Sequence, residues 1–486
     1  MAKIILNPLD SLGQINRNIY GHFSEHLGRC IYQGLYVGPD SAVENVRGMR
    51  TAAVEALKKI RIPVLRWPGG CFADEYHWED GIGPQSGRRR MVNTHWGGVV
   101  EDNSFGTHEF LDLCEMLGCE PYITANVGSG TIRELSEWVE YINSPSDSST
   151  AQRRWANGRR DPWSVKYWGI GNESWGCGGN MRAEYYADVY RRYQTYCRQY
   201  TDVRPYKIAC GPSDSNYEWM QTLMERAARY MDGISLHYYT VCNTWDNKSR
   251  ATQFSTSEYY QTLKKALFMD ELVTRHDAIM TRYDPEKRIG LVVDEWGTWH
   301  AVEPGTNPGF LYQQNTMRDA LVASLTLDIF NRHCDRVTMA NIAQTVNVLQ
   351  AVILTEGDQI VLTPTYHVFD LYKEHQDARQ IAAYVETDTI GEEEWRVPRI
   401  SASASEKDGA ITVTVSNLSE SEPQDVTLEG FRAAAAEGRI LTCKMDAFND
   451  FGASPLGVQA MEGIALCDGK ATFTLPPCSV AAVTLK

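Results

Sequence analysis

A chain of 486 residues is longer than one ordinary core accommodates, so a large domain with a smaller one attached is the expectation. Apolar residues at 43% and charged residues at 22% describe a globular protein rather than a disordered one. The net charge of -15 argues against nucleic acid or anionic membrane as a partner and leaves a neutral substrate as the better fit.

In chain order, Met1-Ala2-Lys3 leads into Ile4-Ile5-Leu6, which Asn7-Pro8 ends well short of a signal-peptide core. No apolar run reaches membrane-spanning length, and a cytoplasmic protein is expected. The 12 Cys are scattered without a Cys-x-x-Cys pair, so they are expected to be reduced, mostly buried thiols. Residues 18–23, 64–67, 121–125, 165–169, 207–211, 233–237, 290–293 and 336–342 read as short buried strands. Helical stretches lie between them: 107–117, where Phe110, Cys114 and Leu117 recur at helical spacing, then 182–200 and 257–282, with a last one at 366–375. Strands alternating with helices predict an α/β fold, a closed (β/α)8 TIM barrel. A doubly wound open sheet would carry Gly-x-Gly-x-x-Gly after its first strand, and none stands there. Beyond Gln376 the period changes to two: Ile411, Val413 and Val415, then Ala471, Phe473 and Leu475, then Ala481, Val483 and Leu485. That alternation predicts a C-terminal antiparallel β-sandwich, jelly-roll-like. The expected division is a catalytic barrel over 9–375 and a sandwich over 376–486, with 1–8 as a candidate extra strand of the sandwich.

Two carboxylates stand out: Glu173 in Trp168-Gly169-Ile170-Gly171-Asn172-Glu173, and Glu295 in Val292-Val293-Asp294-Glu295-Trp296. Each is read at the point where a buried strand turns into a loop, after the fourth and seventh strands, on the face where barrels build their sites. Retaining glycosidases need two carboxyl groups about 5–5.5 Å apart, and strands four and seven face each other across the barrel. Trp296 is expected to wall the acid and raise its pKa. Other strand ends carry a matching load: Gly21-His22-Phe23-Ser24-Glu25-His26, Arg66-Trp67-Pro68-Gly69-Gly70-Cys71 and His237-Tyr238-Tyr239. Among His22, His26, Asp74, Glu75 and His77 the spacing fits no metal-binding pattern, so neither metal nor cofactor is expected. The Gly176-Cys177-Gly178-Gly179 segment lacks the Lys and Ser/Thr of a phosphate loop and reads as a flexible loop beside the site.

These motifs, with Tyr76-His77-Trp78-Glu79-Asp80-Gly81, Phe105-Gly106-Thr107-His108-Glu109-Phe110 and Asn341-Ile342-Ala343-Gln344-Thr345, resemble the α-L-arabinofuranosidases of glycoside hydrolase family 51 along essentially the whole chain. The resemblance implies retention of anomeric configuration, with Glu173 as acid/base and Glu295 as nucleophile. It implies that Asn172 bonds the hydroxyl next to the anomeric carbon, and that Arg66 and Tyr239 keep Glu295 ionised and oriented. Glu25, Cys71 and Gln344 would line the sugar pocket, Trp96 and Trp299 would wall it, and Trp175 would stand at its entrance. Partners would be arabinose-containing oligosaccharides, and the assembly a homo-oligomer, a hexamer in this family. Two features depart from the pattern. Cys71 stands where many relatives have Asn, and the loop 175–181 is Gly-rich, which leaves arabinoxylan and arabinan both open as the natural source. A xylosidase or glucanase on the same barrel would share both acids and prefer pyranosides; a non-catalytic carbohydrate-binding protein would not need both.

Overall fold

The computed structural model describes residues 2–486. The chain opens with β1 (Ala2–Asn7) and then enters a ring of parallel strands: β2 (Gly21–Phe23), β3 (Val64–Trp67), β4 (Glu120–Ala125), β5 (Tyr167–Ile170), β6 (Tyr206–Ala209), β7 (Gly233–Thr240), β8 (Gly290–Thr298) and β9 (Val337–Ala343). Each pairs with the next in sequence, and β9 returns to β2 through Asn341 opposite Gly21, so the sheet closes. Helices α1 (Thr51–Lys59), α2 (Thr107–Leu117), α3 (Ile132–Asn143), α4 (Ser149–Ala156), α5 (Ala183–Tyr196), α6 (Tyr217–Ala227), α7 (Thr256–Tyr283), α8 (Met317–Arg332) and α9 (Pro364–Tyr372) occupy the connections. The long α7 starts on a reciprocal cap, in which Ser255 accepts from the Glu258 N–H and Glu258 accepts from that of Ser255.

Alternation along the strands sorts the side chains. Val64, Tyr122, Tyr167, Ile208, Val292 and Met339 pack together inside the ring, while Leu65, Trp67, Ile123, Trp168 and Val293 face the helices. The eight expected strands are present with moved ends. The first is shorter, because the Asn16 side chain accepts from the Asn18 N–H and starts a 3-10 turn over Arg17–Tyr20, leaving only Gly21–Phe23 extended. The seventh is longer. It runs through Thr298, so Glu295 lies within the strand and not in a loop after it.

After α9, a ladder of ten strands forms in the order β15-β14-β18-β12-β11-β10-β1-β13-β17-β16. Its members are β10 (Arg379–Glu386), β11 (Ile400–Lys407), β12 (Ala410–Asn417), β13 (Gln424–Glu429), β14 (Ala436–Thr442), β15 (Gln459–Ala460), β16 (Ala465–Cys467), β17 (Lys470–Leu475) and β18 (Ser479–Leu485). The N-terminal β1 sits in its middle, antiparallel to β10 and parallel to β13. Ile4 and Leu6 share one apolar core with Val413, Val415, Leu428, Phe473 and Val483, so the two ends of the ladder pack face on face. Helix α8, buried from Met317 to Asn331, joins the two parts: its Asp328 accepts hydrogen bonds from Ser401 (2.7 Å) and Ser403 (2.8 Å) of β11 and from Tyr372 (2.9 Å) of α9.

Candidate active site

A cavity of about 120 Å³ opens at the C-terminal ends of the barrel strands. Glu25, Gly70, Cys71, Trp96, Glu173, Tyr239, Glu295, Trp299 and Gln344 line it, with Leu27, Leu311 and Leu349.

Its floor owes its shape to an irregularity in β8. Val293 pairs with Ala340 and Trp296 with Ile342, so β8 uses three steps where β9 uses two. The extra residue re-aims the chain, as bulges beside active sites do. Asp294 and Glu295, sequence neighbours that would face opposite sides of a regular strand, both point into the barrel. Trp296 then faces outward onto Phe330 and Phe369, at ring-centroid distances of 5.6 and 6.4 Å. The expected Trp296 wall beside the acid is therefore corrected, because the bulge turns that ring into the helix layer.

Arg66 from β3 ties the floor together. Its Nη1 donates to Glu295 Oε1 (2.9 Å), its Nη2 to Asn172 Oδ1 (2.6 Å), and its Nε to Thr124 Oγ1 (3.3 Å). Burial works against its charge, but Asp294 and Glu295 outweigh that and hold the guanidinium firmly protonated. Tyr239 donates to the other Glu295 oxygen, Oε2, at 2.8 Å. Burial, reinforced by Glu295, pushes the phenol far above its ordinary value, so it stays a donor. Gly70 is needed for close approach: a Cβ there would lie 2.9 Å from Glu295 Oε1.

Glu173 follows β5 on a backbone with φ of +40°, a left-handed conformation that a non-glycine residue holds only at a cost of about 1–3 kcal/mol. The N–H groups of Gly176 and Gly178 return to its carbonyl at 2.7 and 3.1 Å and hold the turn. Buried Asp74 fixes the segment from below, accepting from the N–H groups of Val127 (2.8 Å), Gly128 (2.7 Å) and Asn172 (3.2 Å).

His237 stands between the acids. Its Nδ1 lies 2.9 Å from Glu173 Oε1 and 3.6 Å from Glu295 Oε2, and its Nε2 lies 3.1 Å from Asp294 Oδ1. Burial disfavours its charge, yet Glu295 and Asp294 raise its pKa to about 10, which makes it an imidazolium at neutral pH. Against the pull of burial, Arg66 and His237 hold Asp294 below the usual carboxylate range. For Glu295, burial pushes the carboxyl up and Glu173 adds to that, while His237 and Arg66 pull it back. Carboxylate oxygens of Glu173 and Glu295 lie within 4.8 Å of each other. Glu25 occupies the far wall, its Oε1 accepting from Gly70 N–H (3.0 Å) and Trp96 Nε1 (3.0 Å) and its Oε2 from Gln344 Nε2 (2.8 Å). Burial and then the Glu295 charge push it up to about 7.

Models built on known families match this chain in two blocks: one described as Alpha-L-arabinofuranosidase 1 domain over residues 56–258, one as Alpha-L-arabinofuranosidase C-terminal domain over 294–479. The chain is also 55% identical over 442 residues, 90% of its own length and 86% of the relative's, to a Bacteroides ovatus protein named an intracellular exo-alpha-L-arabinofuranosidase. It belongs to the α-L-arabinofuranosidases of glycoside hydrolase family 51. A family 51 arabinofuranosidase from Xanthomonas axonopodis pv. citri superposes with a TM-score of 0.98 at 48% identity, covering 100% of this chain and 99% of that one. The Thermotoga maritima α-L-arabinofuranosidase, solved as an arabinose complex, gives 0.88 at 30% identity with both chains covered in full.

Within this family 51 chain, eight of the side chains expected at the site share the cavity wall: Glu25, Cys71, Trp96, Glu173, Tyr239, Glu295, Trp299 and Gln344. Arg66 and Asn172 lie just beneath. Asn172 Nδ2 and Gln344 Oε1 are buried and have no partner among the described residues. Trp175 is not brought to the cavity; its indole N–H donates to the Gly211 carbonyl at 3.2 Å. The cysteine expectation is corrected at one pair. Cys71 and Cys177 are joined in a disulfide, because the turn after Glu173 brings Cys177 back over the pocket to a Cα distance of 5.5 Å from Cys71. The other ten cysteines are free. The bond and the hydrogen bonds back to Glu173 pin the segment that was expected to be a flexible loop.

Sequence reasoning passed over His237 as a cluster member and missed Asp294, Leu311 and Leu349. His237 stood at a noted strand end, and its partners become apparent only once β7 and β8 are paired. Leu311 and Leu349 are single apolar residues in loops, with no periodicity to flag them.

Proposed function

We propose that this chain is an exo-acting, retaining α-L-arabinofuranosidase in which Glu295 is the nucleophile and Glu173 the acid/base. The observation that carries the proposal is the spacing: carboxylate oxygens within 4.8 Å of each other suit a double displacement. The environments support these roles. Glu295 is gripped on both oxygens by Arg66 and Tyr239, which suits a carboxylate held for attack on the anomeric carbon. Glu173 is the more exposed of the two, its side chain at 19% against 7%, and suits proton exchange with the departing oxygen and then with water.

In the first step, Glu295 bonds to the anomeric carbon of a terminal arabinofuranose as Glu173 gives its proton to the leaving oxygen. In the second, Glu173 takes a proton from water, which cleaves the arabinosyl ester and frees Glu295. Asn172 Nδ2, buried without a partner among the described residues, is the group assigned in this reading to the hydroxyl beside the reacting carbon. The small cavity supports removal of single terminal residues, from arabinoxylan or arabinan oligosaccharides. We take residues 9–375 as the catalytic unit and 376–486 with the N-terminal strand as its structural companion. A cytoplasmic, homo-oligomeric enzyme is part of the same reading. The Bacteroides ovatus relative is named intracellular, and no helix among the described residues is long and apolar enough to cross a membrane. Cell fractionation and light scattering of the purified chain test those two points.

Glu173→Ala and Glu295→Ala should each abolish hydrolysis of aryl α-L-arabinofuranosides. Azide should rescue them to glycosyl azides of opposite configuration, β from Glu295→Ala and α from Glu173→Ala. Near-normal turnover in either variant, or the same azide anomer from both, would overturn the roles.

A further inference from the structure

Two sulfurs meet the Glu173 carboxylate at one side of the pocket, and nothing in glycoside cleavage calls for sulfur there. Cys71 begins the helical turn after β3 and Cys177 lies in the loop after β5, 106 residues later. Glu173 Oε2 is 3.8 Å from the Cys71 sulfur and 3.4 Å from the Cys177 sulfur. In a tetrahedral zinc site, with Zn–S about 2.3 Å and Zn–O about 2.1 Å, the sulfur–oxygen edges are about 3.6 Å and the sulfur–sulfur edge about 3.8 Å. The carboxylate oxygen thus already stands at edge distance from both sulfurs. Only the sulfur–sulfur separation has to widen, and Cα atoms 5.5 Å apart allow this by side-chain rotation. All three residues are partly exposed and two of them, Cys71 and Glu173, line the pocket, so a cation has a path in.

We propose that reduction of the Cys71–Cys177 bond turns this corner into a binding site for a thiophilic divalent cation, zinc or cadmium, held by both thiolates and Glu173 Oε2. Two equivalents of a monothiol supply two electrons and two protons, leaving two cysteine thiols and one external disulfide. The cation then displaces the two thiol protons and takes the carboxylate as third ligand, with its fourth position open to water. Bound this way it occupies the acid/base, so the disulfide protects hydrolysis from soft metals and the dithiol exposes it to them. Among the described residues, the other group of candidate ligands that converges is Glu173, His237 and Glu295, which contains no sulfur.

The test compares wild type as purified, wild type reduced with a phosphine that is then removed, Cys177→Ser reduced likewise, and reduced Glu173→Gln. Each is titrated with cadmium, followed by thiolate-to-metal ultraviolet absorption, and the first three are assayed with zinc against their own metal-free rates. Reduced wild type should take up one cadmium more than Cys177→Ser, with the absorption band. It should lose more than tenfold in rate at equimolar zinc, restored by EDTA. Wild type as purified and Cys177→Ser should show neither response, and Glu173→Gln should bind cadmium at least tenfold more weakly than reduced wild type. Equal responses from reduced wild type and Cys177→Ser, or undiminished cadmium affinity in Glu173→Gln, would overturn the site. The inhibition arm rests on Glu173 being the acid/base, whereas the absorption arm does not. A strong band without inhibition would therefore support the cation site and count against that catalytic role.

Discussion

His237 carries a charge that three carboxylates share, and replacing it with Gln keeps a hydrogen-bonding side chain of similar reach while removing that charge. The imidazolium nitrogens lie 2.9 Å from Glu173, 3.1 Å from Asp294 and 3.6 Å from Glu295. Two unit charges about 4 Å apart interact by about 4 kcal/mol at an effective dielectric constant near 20, and a cation at this range shifts a carboxyl pKa by about 1–3 units. The cation pulls the Glu295 pKa down, so its loss should raise that pKa by about 1–3 units. Attack needs the carboxylate, so the acid limb of kcat/KM should move to higher pH by the same amount, with activity best preserved at alkaline pH. The assay is the pH dependence of kcat/KM on an aryl arabinofuranoside whose leaving group needs no proton, so that the limb reports Glu295 alone. Stability supplies a second readout. His237 has a folded pKa of about 10 against an ordinary 6.5, so its contribution is full below pH 6.5 and is lost as pH rises through 10. The stability gap between wild type and His237→Gln should narrow over that window. An acid limb that stays in place while activity falls uniformly would refute the reasoning and leave His237 as a neutral spacer.

Tyr239→Phe removes the 2.8 Å hydrogen bond to Glu295 while leaving the ring against Trp299 at 5.0 Å. A hydrogen bond to a charged group is worth about 1.5–3 kcal/mol, so kcat/KM should fall about 10- to 150-fold; a loss under threefold would show that Arg66 alone orients the nucleophile. Asp328→Ala strips the acceptor from Ser401, Ser403 and Tyr372 at the junction of barrel and ladder. Ser403 and Tyr372 keep partners in Thr414 and Ser324, whereas Ser401 is left unpaired at a cost of about 1–3 kcal/mol, so urea denaturation should show a loss of about that size, and a variant as stable as wild type would count against that junction.

The alternation of short apolar runs with amphipathic helices made the eight-stranded barrel legible, and the period of two after residue 376 did the same for the second sheet. Both signals arise because burial imposes the period of the local backbone on the sequence. Glu173, Glu295 and Arg66 could be singled out in the chain because charged groups in or beside buried strands need a reason to be there, whereas Trp96 and Trp299 came only from the resemblance to family 51. Three features could not. The bulge in β8 that turns Asp294 and Glu295 to one side depends on the register with β9, which no local pattern encodes. The grouping of His237 with three carboxylates depends on β7 lying beside β8 and on β5 standing two places from β7 in the same ring. The Cys71–Cys177 bond joins residues 106 apart, and neither cysteine carries a motif that names its partner. Residue type and period are local properties of the sequence. Which charges end up within 4 Å of one another is settled only when strands far apart in the chain close into one ring, and there the protonation states of this site are decided.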